Sequence, residues 1–477
     1  MYCHGPRIGA ANRLGRDLTK TSGDRRRNHP VRRDMNAGTI PGEAVHVADP
    51  RFPLSTDRPR RASPPVRMPT EFELIDQIFL RRARAARVRA EVHAARDGSA
   101  PSRLRSTRLG IGDDCALLDL PAGQSLAVST DMLVCGRHFL PDVDPRKLGH
   151  KALAVNLSDL AAMGATPMAF TLSLALPPEI AADVNWLDRF AEGLFALAEP
   201  HGCELIGGDT TAGPLTISIT IFGALPHGAA LRRDAARAGD DIWLSGTLGD
   251  ARLALGLMRQ DWPLTTLGTS DAAGTLAAVR TAMEAPQPRI ALGEQLRELA
   301  HAAIDLSDGL AGDLAHIARR SGLVAVVDVD AVPRSGWLAA CAPEIQKVCT
   351  LSGGDDYELC FTAPIASRAA LEALNAHGSI DGVALTRVGT MRAPETAAAS
   401  PTGTPSDMPA THHESMRSGA SEDALASRAV IEDIRDTTAP LRLATGTLNQ
   451  AGQVHWVASD GTPLSLSLTG FDHFDAA

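Results

Sequence analysis

Carboxylates placed beside Gly, Ser or Thr recur along this chain, and they constrain how it can fold. The clusters are Gly112-Asp113-Asp114, Ser129-Thr130-Asp131, Asn156-Leu157-Ser158-Asp159, Gly207-Gly208-Asp209-Thr210-Thr211, Asp305-Leu306-Ser307-Asp308-Gly309 and Gly353-Gly354-Asp355-Asp356-Tyr357. Acids gathered in one place repel and raise each other's pKa unless cations hold them together. Mg²⁺ takes hard oxygen ligands and shares them with substrate phosphates. Gly-rich turns let backbone N–H groups approach phosphate closely. If the clusters meet in the fold, they describe a site for several Mg²⁺ ions and a polyphosphate. Taken singly, each cluster is also an ordinary turn or helix cap.

The 477 residues are enough for two or three domains with ample core. With 44% hydrophobic and 22% charged residues, the composition is that of a globular protein. A net charge of −9 gives no general attraction to nucleic acid or to an anionic membrane. No apolar run approaches the roughly 20 residues that span a bilayer. The seven cysteines show no C-x-x-C pairing and read as reduced and mostly buried, as in a cytoplasmic protein.

Residues 1–67 are rich in Arg, Pro, Ser and Asp without a sustained apolar period. They read as a disordered arm or an overlong gene start, with Met68 as the natural beginning: Thr70 as a cap, then acidic residues and apolar spacing. Strand signals fall at Leu126–Thr130, Thr216–Gly223, Asp241–Ser245, Val324–Val329 and Glu358–Thr362. Arg146–Met163 reads as a helix stopped by Gly164, with Asn156 and Asp159 on one face. A second helix runs through Leu314 to Arg320, capped by Ser307 or Asp308 and stopped by Gly322. The polar stretch Arg237–Asp241 marks a boundary between a domain at 68–237 and another at 238–477. Within the latter, residues 392–428 read as a disordered insertion, with order resuming near Val430.

There is no G-x-x-x-x-G-K-[ST] loop, no complete dinucleotide fingerprint, no zinc spacing, no G-x-S-x-G and no kinase H-R-D loop. What remains suits phosphoryl transfer by metal-held positioning.

The strings GIGDDCALL (110–118), STDMLVCGRHF (129–139), HKALAVNLSDLAAMGATP (150–167), GGDTTAGP (207–214), DLSDGLAGDL (305–314), SGGDDYELCFT (352–362) and GFDHF (470–474) closely resemble the thiamine-monophosphate kinase family, in that family's order. The resemblance covers roughly residues 72–391 and the C-terminal stretch. It implies a two-domain α/β (α+β) fold similar to aminoimidazole-ribonucleotide synthetase, with N-terminal domains pairing into a homodimer. It also implies transfer from ATP to thiamine phosphate, giving thiamine diphosphate. On this resemblance Asp114, Asp131, Asp159, Asp209, Asp305 and Asp308, helped by Ser129 and Thr130, are Mg²⁺ ligands. Gly208, Asp209, Arg233 and Ser307 contact ATP, while His138, Asp355 and Phe471 contact thiamine phosphate. Ala212 stands where many relatives have Arg, Asp355 where Glu is usual, and Phe471 where Tyr or Trp is usual. The alternatives are another ATP-dependent enzyme of the same superfamily, acting on a purine intermediate, selenide or a carbamoyl group, or a non-catalytic metal-binding protein.

Overall fold

The computed structural model describes residues 75–97, 106–376, 382–395, 450–466 and 468. A π-helical turn, Ile75–Leu80, leads into helix α1 (Arg81–Asp97). A short antiparallel pair follows, β1 (Thr107–Leu109) and β2 (Leu117–Leu118). Then comes a four-stranded sheet of β3 (Gln124–Val134), β4 (Thr166–Leu176), β5 (Glu204–Ala212) and β6 (Thr216–Pro226), in the order β3-β6-β4-β5. β4 and β5 are parallel and the other two pairings antiparallel. Helix α2 (Pro145–Ala162) connects β3 to β4, and α3 (Val184–Ala198) connects β4 to β5.

The second sheet has seven strands: β7 (Asp241–Ser245), β8 (Ala302–Asp305), β9 (Val324–Asp328), β10 (Leu359–Ala363), β11 (Leu385–Arg392), β12 (Val454–Val457) and β13 (Pro463–Leu464). Their order is β13-β12-β9-β11-β7-β10-β8, antiparallel except for β12 against β9. Helices α4 (Asp250–Met258), α5 (Ala272–Glu284), α6 (Ile290–Leu296), α7 (Leu310–Arg320), α8 (Pro343–Ser352) and α9 (Arg368–Ala376) accompany it. β7 is buried along its length because both sheet faces are covered. Ile242 and Leu244 enter a core with Leu310, Leu314 and Ile317 of α7. Trp243 points the other way and stacks on Phe361, with ring centroids 6.4 Å apart. That second core continues through α6 and α2 to the inner face of the four-stranded sheet.

Helix α2 is the element on which the site is built. Asp144 caps it, accepting from the Arg146 N–H at 2.9 Å, and Pro145 supplies its first turn. It ends at Met163, and Gly164 takes φ +69°. Its crossing with α3 is very close: a Cβ on Gly193 would sit 1.7 Å from the Arg146 carbonyl oxygen, and one on Gly149 would sit 1.9 Å from that of Phe190.

The five strand signals all fall on observed strands: Asp241–Ser245 matches β7 at both ends, and the other four have shifted ends, the first lying inside the longer β3 and Glu358 preceding β10. The cap expected from Ser307 or Asp308 is not there. The chain turns at Gly309 (φ +106°), and Asp313 inside the helix accepts from the N–H groups of Asp308 and Gly309, both at 3.1 Å. An acid in the first turn can reach back to these orphan donors, which releases the two preceding side chains from capping. Arg392, the first residue of the expected insertion, is the last of β11. The Thr70 cap, residues 1–67 and the resumption near Val430 lie outside the described residues.

Substituting Gly193→Ala should lower unfolding stability by about 1–3 kcal/mol, because the added methyl meets backbone that cannot swing away. Denaturant unfolding of the purified variant measures this.

Candidate active site

A cavity of about 600 Å³ opens where α2, the end of β3, α4 and two loops of the second sheet meet. Asp131, His138, Asp159, Asp305, Ser307, Asp308, Asp355 and Tyr357 line it. β3 presents Ser129 and Asp131 to the inner side of its sheet because strand side chains alternate. There the Asp131 N–H donates to Asn156 Oδ1 at 3.2 Å, and the Ser129 hydroxyl donates to Asp159. Ser158, next along α2, donates to Asp305 Oδ2 at 2.8 Å. Three sequence clusters thus meet through hydrogen bonds.

The loop after Asp305 in turn locks onto the loop at 353–357. The N–H of Asp355 donates to the Ser307 carbonyl at 2.9 Å, and that of Tyr357 to the Leu306 carbonyl at 2.8 Å. Contact is close enough that a Cβ on Gly354 would lie 2.4 Å from Ser307 O. Each acid after the glycines goes to a different partner. Asp355 pairs with Lys151 Nζ at 3.0 Å, Asp356 accepts from the Gly249 N–H at 2.9 Å, and Glu358 pairs with Arg289 and Ser245. The Val134 N–H donates to His138 Nδ1 at 3.0 Å, which leaves that ring nitrogen without a proton.

Burial, followed by the charges of Asp159, Asp305 and Asp308, pushes the Asp131 carboxyl up to about 7. Burial and then Asp159 push Asp305 up to about 7. Burial raises Asp159 too, while its bond from Ser129 and the Arg233 guanidinium pull it back. Asp313 is raised by burial, then by Asp308 and Asp305. A second cleft of about 480 Å³, lined by Ser129, Arg232, Arg233 and Arg320, meets the first at Asp159.

Not every expected ligand joins this cluster. Met132, Ser218, Ser173 and Asp209 are paired in one row across the sheet, so Asp209 lies on the face opposite Asp131. Thr130 is on that outer face as well, its hydroxyl 2.9 Å from that of Thr220. Asp114 is exposed in the loop before β2, its N–H donating to Asp113. Gly208 has a structural reason of its own: at φ +145° a Cβ would lie 1.8 Å from the Leu172 carbonyl oxygen. Phe471 lies outside the described residues.

Among the described residues no three His, Cys, Asp or Glu side chains form a group able to hold a metal ion unaided. The donor set still fits Mg²⁺. It consists of hydroxyl oxygens and of carboxylates that repel one another as they stand, and Mg²⁺ completes its shell with waters and substrate phosphate oxygens. Sequence reasoning passed over Lys151, Tyr357 and the cavity-lining Arg137, Arg252 and Arg259. Lys151 was legible in part, since it stands four and eight residues before Val155 and Asp159, on one helical stripe.

Residues 112–225 match the N-terminal domain of AIR synthase related proteins, and residues 237–395 match their C-terminal domain. The chain is 49% identical over 296 residues to the thiamine-monophosphate kinase of Salmonella typhimurium, covering 61% of this chain and 87% of that one. It is 47% identical to the crystal structure of thiamine-monophosphate kinase from Stenotrophomonas maltophilia, with a TM-score of 0.56, covering 61% of this chain and 90% of that one. The hydrogenase maturation protein HypE shares the fold at 21% identity, with a TM-score of 0.54 and 85% and 95% of the two chains covered. With two matching domain signatures and close relatives aligned over most of their length, the chain belongs to the thiamine-monophosphate kinase family.

Proposed function

We propose that this protein phosphorylates thiamine monophosphate to thiamine diphosphate with ATP. The observation that carries it is the convergence of Asp131, Asp159, Asp305 and Asp308 around one cavity in a chain of this family. An acceptor phosphate oxygen attacks the γ-phosphorus of ATP; one P–O bond forms, the bond to the β-phosphate oxygen breaks, and ADP leaves. The attacking oxygen is already ionised near neutral pH, so the protein need supply no strong base. Its task is to bring two anions together in line.

We assign Asp131, Asp159, Asp305 and Asp308 as the acids that hold Mg²⁺, with Ser129 and Ser158 orienting two of them. Mg²⁺, when bound, neutralises and aligns the phosphates. Arg233 reaches the acids from the second cleft and is assigned to the nucleotide phosphates, as is Ser307 of the first cavity. His138 and Asp355 are assigned to the thiamine end. Asp114 of the loop before β2, Thr130 and Asp209 of the outer sheet face, and Gly208 of β5 remain nucleotide and metal candidates.

That outer face supports a homodimer. Leu126, Val128 and Met132 of β3 are 48%, 54% and 58% exposed in one row, an apolar strip that a second copy would cover. The six described cysteines are free thiols, and no described helix is long and apolar enough to cross a membrane. Both fit an enzyme of the cytoplasm.

Incubation with thiamine monophosphate, ATP and Mg²⁺ should yield thiamine diphosphate and ADP in equal amounts by chromatography, and EDTA should stop it; ADP without thiamine diphosphate would refute the acceptor. Asp159→Asn should cut turnover by about 100-fold or more while the melting temperature stays within a few degrees, since the amide keeps the Ser129 contact but loses the charge. Asp131 and Asp305 have folded values near 7 against an ordinary 3.8, so the unfolded chain gives up their protons first. Metal-free protein should therefore lose stability as pH rises from about 4 to about 7, and Mg²⁺ should stabilise it more at about pH 8 than at about pH 5. Thermal melts with and without MgCl₂ decide this. Val128→Asp should shift the sedimentation of a dimer toward monomer; an unchanged dimer would place the interface elsewhere.

A further inference from the structure

Lys151 is 2% exposed in α2, and its ammonium has two partners in this fold. It donates to the His138 carbonyl oxygen at 3.2 Å and pairs with Asp355 Oδ2 at 3.0 Å. Both partners line the cavity, while Lys151 itself does not. The other Asp355 oxygen accepts from the Tyr357 hydroxyl at 3.2 Å. Asp355 and Tyr357 take φ values of +68° and +51°, a conformation that residues with a Cβ adopt only when their surroundings hold them. A buried ammonium needs both a counter-charge and hydrogen-bond acceptors, and here each comes from a different wall of the cavity.

We propose that Lys151 is a positioning residue for the acceptor: one buried cation fixes the His138 turn and the Asp355 carboxylate in mutual register. This rests on the assignment of that part of the cavity to thiamine monophosphate. Two of the carboxylates assigned to metal are held by other groups: Asp159 accepts from Ser129 and Asp305 from Ser158. Lys151 also neutralises Asp355, so this wall meets the acceptor as a compensated pair and not as a bare negative charge. The wall's specificity then lies in the placement of its atoms.

The experiment is a double-mutant cycle on the full chain: wild type, Lys151→Met, Asp355→Asn and the double variant, each with KM for thiamine monophosphate, KM for ATP and kcat. Lys151→Met should raise the acceptor KM by about tenfold or more and leave the ATP KM within about twofold. The double variant should be no worse for acceptor than the worse single one, because both changes break one contact. The double variant replaces a buried ion pair by neutral groups, so it is the form expected to fold if Lys151→Met does not. In that case an acceptor KM equal to that of Asp355→Asn supports the proposal, and a wild-type acceptor KM overturns it. Equal rises in both KM values, additive effects in the cycle, or an unchanged acceptor KM in folded Lys151→Met would each overturn it. A wild type that hydrolyses or transfers from ATP but never phosphorylates thiamine monophosphate would instead remove the acceptor assignment, and this role with it.

Discussion

Helix α2 must be buried on nearly every side while carrying an ammonium, an amide, a hydroxyl and a carboxylate. Lys151, Asn156 and Ser158 are each 2% exposed or less. A buried polar group without a partner costs free energy comparable to a large share of a domain's net stability. Each of these side chains is therefore partnered, and each takes at least one partner from another part of the chain. Asn156 takes β3, Ser158 takes β8, Asp159 takes Ser129, and Lys151 takes the Asp355 loop. The apolar residues between them supply the packing, and the polar ones decide the register in which the two sheets meet. The cavity is what remains between elements placed this way.

The second dependence is backbone proximity. The Ser307 and Asp355 loops exchange main-chain hydrogen bonds across glycines whose missing Cβ atoms leave the room. This is why two separate Gly-Asp strings in the sequence act as one wall. It also explains why Asp313, and not Ser307 or Asp308, caps α7: the tight approach at Gly309 turns the preceding side chains toward the cavity. Burial of Asp131, Asp159 and Asp305, with charge repulsion added at Asp131 and Asp305, raises the proton affinity of these three carboxyls, a cost that a bound cation would relieve.

Much of the fold was legible in advance because its signals are local. The helix at 146–163, its Gly164 stop and five strands depend on apolar period, caps and turn residues within a few positions. What was not legible depends on distant partners. β4, β5 and β8 passed unnoticed, their apolar runs being ambiguous without knowing what covers them. The role of Lys151 was hidden because its counter-charge lies in another domain's loop.

By itself the sequence determined the chemistry available: oxygen ligands in quantity, glycines beside them, no metal-binding thiol or imidazole spacing, and strings that match one family. Only the tertiary structure decided which of those ligands stand together. Asp131 and Asp209 are equally good acids in similar strings, yet strand alternation and the pairing register turn one inward and the other outward. A period of two along a strand is a local rule, but which face becomes the inside is set by what packs against the sheet, and here that is α2.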